Sequence, residues 1–594
     1  MSAVLIPRLA LASAALMATL PFFNTLHVLP LWAFYDEWLA GALGLGASVI
    51  LFSRAQTPSL PFGALWLFAF AAVLPIPFLL GRIAYGEQIA LAELYVLWAA
   101  LVYCAGARLR DIFGIERLSR ILAIALATGG VLSALIALIQ VFGGGSALTF
   151  AVSPMIGNRA YGNINQANLF ADYVALGFCA LAYLWVTGTI RARTGAALAL
   201  LLLAGLALSG SRSVWLYLTW LIAWCGAWWL KGRATAAAKL CLFAVAGLIA
   251  VVAIDLVLGK ILTDGSQLET MVSRNLQFGL PGQAASDFPL RTYFWAQAWK
   301  MFLEAPLVGV GFGQYLWHFF QLSLSVESLP YLGEVRNAHN LFFQLLAETG
   351  SAGTLCVAAL VIQWWVGLWR RLDCPEHWLL GAWVGVVLIH SMLEMPLWYA
   401  HFLGLLALVL GAGDERRVEL SSSRPLQSVA FPAVLGGAVV LVSLGYQYVR
   451  ISAWLYNFAD LARVDPVAAE RQQEVIRSGK RSLLRPYVDL PLSATLALDL
   501  GELDAKIEFN GRVMRFAPIG PVVYRQTIFL GLAGRTDEAE ALLKRAVHIY
   551  PELIPGFTLV VNELQLKFPD RLKRVQALLE EQRTASSKPE SNLR

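Results

Sequence analysis

His339 stands in RNAHNLFFQLLAETGSAG, residues 336–353, where Asn337, His339 and Asn340 precede an apolar run long enough to enter a membrane. A neutral imidazole near pH 7 can take a proton from a hydroxyl or orient it. Glu348 follows about 13 Å further along a helix, too deep for the same substrate atoms, so a structural polar contact suits it better. His390 and Glu394 share a helix face by i,i+4 spacing in IHSMLEMPLWYAHFLG, residues 389–404, before the break at Pro396. Together with His339 they offer the ligand types of a metal site, although nothing in the spacing requires a metal.

Cations that could hold an anion form the second group. Arg82, Arg159 and Arg212 lie in short loops that otherwise carry no positive charge. Arg212 follows a helix end in SGSRSVW, where an arginine can either snorkel to the interface or hold a diphosphate. In GNRAYGNINQANLFADY, Asn163, Asn165, Gln166 and Asn168 precede a helix whose free N–H groups favour an anion; helix capping would use the same residues. Arg291 opens an amphipathic segment with Trp295, Trp299 and Phe302 at helical spacing, suited to lie among lipid headgroups. GVGFG, residues 309–313, lacks the strand and the Lys-Ser/Thr of a phosphate loop, so its glycines are turn formers.

The elements that must position these residues are membrane helices. Of 594 residues 58% are hydrophobic and only 14% charged, with 20 tryptophans, a composition far from that of soluble proteins. The modest net charge of +6 does not argue for nucleic acid. Apolar runs fall near 5–22, 38–53, 61–80, 88–106, 119–142, 167–187, 196–210, 214–230, 238–258, 341–367, 377–392, 397–412 and 427–448, which predicts an all-α, polytopic bundle of about thirteen helices. The first run resembles a signal peptide but reads as a retained helix. Starting inside, the even-numbered connections carry Arg54, Arg108, Arg110, Arg117, Arg120, Arg191, Arg193, Lys231, Arg233, Lys239, Arg370, Arg371, Arg416, Arg417 and Arg424. That bias puts the N-terminus in the cytoplasm and loop 259–340 outside, in the periplasm of a bacterium. None of the six cysteines is expected in a disulfide.

The expected organisation is transmembrane helices over 1–258, a periplasmic catalytic loop over 259–340, further transmembrane helices over 341–449, a periplasmic helical domain over 450–584 and a disordered tail over 585–594. Residues 531–557 have helix-turn-helix spacing like one tetratricopeptide unit; an ordinary helical domain accounts for a single unit equally well.

SGSRSVW, PLRTYFWAQAW with PLVGVGFGQY, and NAHNLFFQLLAETGSAG resemble the O-antigen ligase and polymerase superfamily. TLHVLPLWAFYDEWLAG, GNINQANLFADY, HSMLEMPLWYAHFLG and the added C-terminal domain resemble the PglL-type bacterial protein O-oligosaccharyltransferases within it. The resemblance implies an inverting, metal-independent glycosyltransferase of the inner membrane with an undecaprenyl-diphosphate oligosaccharide as donor and no cofactor. Arg212 and Arg291 would hold the diphosphate, and His339 would activate or orient the acceptor. Arg82, Arg159, Asn163, Gln166, Asn168 and Asn340 would line the donor site, with Glu348, His390, Glu394 and Tyr399 in support. The acceptor expected is a periplasmic protein such as a pilin. Lipid A core, another repeat unit, a lipid-linked sugar transporter and a peptide-binding scaffold are the alternatives. Transport would distribute polar groups through the bundle, whereas here they gather on one face.

Overall fold

The structure is a computed structural model that describes residues 2–52, 59–143, 150–262, 287–323, 334–419, 424–456 and 466–586. Arg54, parts 263–286 and 324–333 of the expected catalytic loop and residues 587–594 of the expected tail lie outside the described residues. Helices α1 (Ser2–Met17), α2 (Phe34–Ser48), α3 (Gly63–Val73), α4 (Ile76–Leu79), α5 (Gly86–Phe113), α6 (Ile115–Phe142), α7 (Ala167–Val186), α8 (Ala192–Leu208), α9 (Ser213–Gly232) and α10 (Thr235–Leu262) form the first part of a bundle. Helices α11 (Asp287–Glu304) and α12 (Tyr315–Leu322) follow in the long loop. The bundle resumes with α13 (Leu341–Arg370), α14 (Pro375–Ser391), α15 (Ala400–Gly413) and α16 (Arg424–Tyr456). A two-stranded antiparallel ribbon pairs Ser59–Pro61 with Arg417–Glu419.

Each of the thirteen apolar runs contains a helix among the described residues. Eight helices among the described residues are long and apolar enough to cross a membrane: α1 continued to Phe23, α5, α6, α7, α9, α10, α13 and α16. Helices α2, α3, α8, α14 and α15 are shorter. Proline explains two of these: Pro75 and Pro77 break the run after α3, and Pro396 holds the start of α15 back to Ala400. The protein is an all-α, multi-pass membrane protein.

Small residues let the backbones approach. A Cβ on Gly411 of α15 would lie 1.9 Å from the Tyr103 carbonyl oxygen of α5, and one on Gly130 of α6 would lie 3.1 Å from the Gly177 Cα of α7. Helix α7 runs through the centre, buried along nearly its whole length. The Tyr173 hydroxyl on it donates to Ala18 O at 2.9 Å, which builds the end of α1 into the bundle. All six cysteines are free.

Beyond the bundle, α17 (Pro466–Gly479), α18 (Arg485–Ser493), α19 (Leu503–Phe516), α20 (Gly520–Leu532), α21 (Thr536–Ile549), α22 (Ile554–Lys567) and α23 (Lys573–Ser586) make a helical domain. Gly534, at φ +77°, turns the chain between α20 and α21, whose apolar faces share a core with Phe320 of α12. A polar joint ties this domain to the start of α5. The Tyr85 hydroxyl donates to Asp489 at 2.9 Å, Arg485 pairs with Glu87 at 3.4 Å, and the Arg512 guanidinium lies 5.7 Å from the Tyr85 ring centre.

Candidate active site

The turn before α13 is fixed from several sides. Asn340 caps the helix by accepting from Phe343 N at 3.2 Å, and its amide donates to Met392 O at 3.3 Å. The Gln344 side chain accepts from Ala338 N at 2.7 Å, while the Trp295 indole of α11 donates to Ala338 O at 3.1 Å. Between these ties His339 adopts φ +47°, a left-handed conformation costly for a non-glycine residue and common where a side chain is aimed for function. Trp295 also stacks on Phe343 at 5.4 Å. The expected aromatic stripe is therefore divided, with Trp295 packed on protein and Trp299 46% exposed.

His339 Nδ1 lies 3.0 Å from Glu394 Oε2, in the turn between α14 and α15. The second Glu394 oxygen accepts from the Asn168 amide of α7 at 3.1 Å. Asn168 Oδ1 accepts in turn from Arg159 Nη2 at 2.7 Å and from the Ser211 hydroxyl at 3.0 Å. Arg159 Nε donates to Ser209 O at 2.8 Å. Three separate stretches of sequence thus converge on one carboxylate, His339 and Asn168 directly and Ser211 through Asn168. Burial raises the Glu394 pKa, but the hydrogen bond from His339 and the nearby charges of His339, His390 and Arg291 outweigh it and hold the group below its ordinary value. Arg291 of α11 therefore stands within electrostatic reach of the pair, and Arg212 follows Ser211 directly at the start of α9. The His339 side chain is 35% exposed and that of Glu394 16%. Nε2 of His339 has no protein partner among the described residues.

Other expected residues go elsewhere. Asn163 is buried and uses its amide inside the loop, donating to Phe23 O and Ala151 O and accepting from Ser153 N. Gln166 caps α7 by accepting from Leu169 N at 2.8 Å. Arg82 donates to Gly309 O at 2.7 Å, and no contact links it to the His339–Glu394 pair among the described residues. Glu348 is buried and accepts from Tyr315 N at 3.0 Å, fastening the 306–315 loop to α13. That loop needs its glycines: Gly309, Gly311 and Gly313 have φ of +74°, +119° and +75°, and a Cβ on Gly309 would lie 2.2 Å from the Glu348 backbone. His390 is fully buried, with Nδ1 bonded to the Tyr217 hydroxyl. Tyr399 precedes α15, within electrostatic reach of Glu394. His339, His390 and Glu394 do not form a metal-ligand cluster; among the described residues the one group with such spacing is Asp373, Cys374 and His377, at the α13–α14 turn.

Sequence reasoning gave Glu394 only a supporting place and missed Ser211. Neither residue is near His339 in sequence, and a carboxylate 55 residues away leaves no local spacing signal.

Three family models match the chain. An O-antigen ligase model covers 197–358, a model described as the C-terminal part of a virulence factor membrane-bound polymerase covers 378–560, and a protein glycosylation ligase model covers 160–185. Together these matches support the O-antigen ligase superfamily. No curated protein matches it. The O-antigen ligase match holds Arg212, Arg291 and His339, the polymerase match holds Glu394 and the glycosylation ligase match holds Asn168. The matched families suggest a glycosyl-transferring ligase and imply, in general, a lipid-linked sugar donor and a protein or lipid A acceptor. A part-exposed imidazole backed by a carboxylate, with the Arg291 guanidinium within electrostatic reach of that carboxylate and Arg159 joined to it through Asn168, is compatible with that chemistry.

Proposed function

We propose that the protein transfers an oligosaccharide en bloc from undecaprenyl diphosphate to Ser or Thr hydroxyls of periplasmic proteins such as pilins, with inversion. The observation that carries the reading is the His339–Glu394 pair at 3.0 Å, its imidazole open on the Nε2 side. The acceptor hydroxyl donates to Nε2 while Nδ1–H donates to Glu394, which fixes the tautomer and favours the imidazolium as the proton arrives. The hydroxyl oxygen then bonds to the anomeric carbon as the bond to the diphosphate oxygen breaks. Arg212 and Arg291 neutralise the charge that develops on the diphosphate, the task a metal ion performs elsewhere. Arg159 and Asn168 hold Glu394 and shape the donor side, and Asn340 holds the turn that carries His339. The polyprenyl tail stays among the helices and the glycan faces the periplasm, the side favoured by the charge bias of the loops. The 160–185 match to a protein glycosylation ligase supports a protein acceptor.

A second reading, transfer to lipid A core or to another repeat unit, is favoured by the matches at 197–358 and 378–560. Intact mass of periplasmic proteins, in cells that supply a lipid-linked glycan, separates the two. A glycan-sized increase seen with wild type and lost with His339→Ala supports protein glycosylation. Unmodified proteins beside glycan-bearing lipopolysaccharide would replace it with the ligase reading.

A further inference from the structure

A second polar site lies where the bundle meets the C-terminal domain. A cavity of about 310 Å³ is lined by Arg82, Glu304, Val310, Trp317, His318 and Arg515. Its parts come from three places: Arg82 from the connection before α5, Glu304 to His318 from the end of α11 through α12, and Arg515 from the last turn of α19. The cavity is charged unevenly. Glu304 is engaged by His318 Nδ1 at 3.5 Å. Burial, together with the charge of Arg82, holds His318 below its ordinary pKa against the pull of Glu304. Arg82 makes one hydrogen bond, to Gly309 O, leaving most of its donors available. Arg515 has neither a hydrogen bond nor an ion pair among the described residues. Two guanidinium groups therefore face one occupied carboxylate, beside the ring of Trp317.

We propose that this cavity is a docking subsite for an acidic side chain of the acceptor polypeptide, held by Arg82 and Arg515 while the acceptor hydroxyl lies at His339. The proposal rests on the protein-acceptor reading above. Size and place favour a peptide. The volume holds one or two side chains, the Trp317 ring offers an apolar surface beside the cations, and one wall belongs to the C-terminal domain rather than to the bundle where a lipid tail would lie. The wall is also coupled to the active site. Val310 N donates to Ala347 O at 2.9 Å, which fixes it to the helix that begins beside His339. Leu341, where that helix begins beside His339, and Glu348 are about 10 Å apart along its axis, and His339 lies two residues further out, so the span is at least about three extended residues. The acidic residue is accordingly expected about three or more positions from the modified Ser or Thr.

The test uses the full-length protein in lipid nanodiscs and two fluorophore-labelled peptides, one with glutamates four to six positions from a single serine and one with glutamines there. Wild type is expected to bind the glutamate peptide more tightly. Arg515→Glu, an exposed substitution, should weaken that binding about tenfold, with the glutamine peptide unaffected; Arg82→Gln should act in the same direction. Release of donor glycan to water should stay at the wild-type rate in Arg515→Glu. Equal affinity of wild type for both peptides would overturn the proposal. So would a loss of donor affinity in Arg515→Glu, which would give the cavity to an acidic glycan. Failure of the parent reading looks different: wild type would glycosylate neither peptide while lipid A core accepted the glycan, and the subsite would fall with it.

Discussion

Two histidines neighbour Glu394, and they sit in opposite surroundings. His339 is part-exposed, strained into φ +47°, hydrogen-bonded to Glu394 through Nδ1 and open at Nε2. His390 is fully buried, bonded to Tyr217 through Nδ1, and its Nε2 is enclosed where no substrate can reach it. Residue type and proximity to a carboxylate are the same in both cases. What separates a catalytic candidate from a packing residue is an accessible ring nitrogen, held in position by an acid on the other side.

The sharpest break of this comparison is substitution of each histidine. His339→Ala should lower transfer roughly 10²–10⁴-fold, the usual contribution of a placed general base, with donor binding retained; single-turnover transfer and donor titration measure the two. Glu394→Gln should come next, at roughly tenfold or more, because the imidazole loses the charge that orients it and stabilises its protonated form. Asn168→Ala should cost less than Glu394→Gln, since Glu394 keeps His339 and loses one amide donor. His390→Phe should leave the transfer rate of the folded protein unchanged and lower stability by about 1–3 kcal/mol as Tyr217 loses a buried partner, which thermal unfolding reads.

The smallest effect is a pH dependence of stability. The Glu394 carboxyl is held below its ordinary value of 4.5. Its ionised form therefore adds stability that is complete above 4.5 and is lost as pH falls through the depressed folded value. The difference in melting temperature between wild type and Glu394→Gln should be constant from neutral pH to about 5 and shrink in stronger acid. A difference that instead grew toward acid would show that burial, and not His339, governs this group.

The helices were legible because membrane runs are long and apolar, although five of the thirteen came out shorter than a span, the run after α3 because proline breaks it. His339 was legible because the polar cluster RNAHN interrupts an apolar background. Its partner was not, since Glu394 reaches it from another pair of helices, and only the packing of α7, α13 and α14 brings Asn168, His339 and Glu394 together. Asn163 and Gln166 show the converse. Their types suit a ligand site, yet the loop uses them to satisfy its own backbone, as capping chemistry allows.

The most direct test of the account is a double-mutant cycle on single-turnover transfer by purified protein, with His339→Ala, Glu394→Gln and the pair. If Glu394 acts through His339, the double variant is no slower than His339→Ala alone. Losses that multiply would show that the two residues act independently, and would remove the hydrogen-bonded pair from the centre of the mechanism.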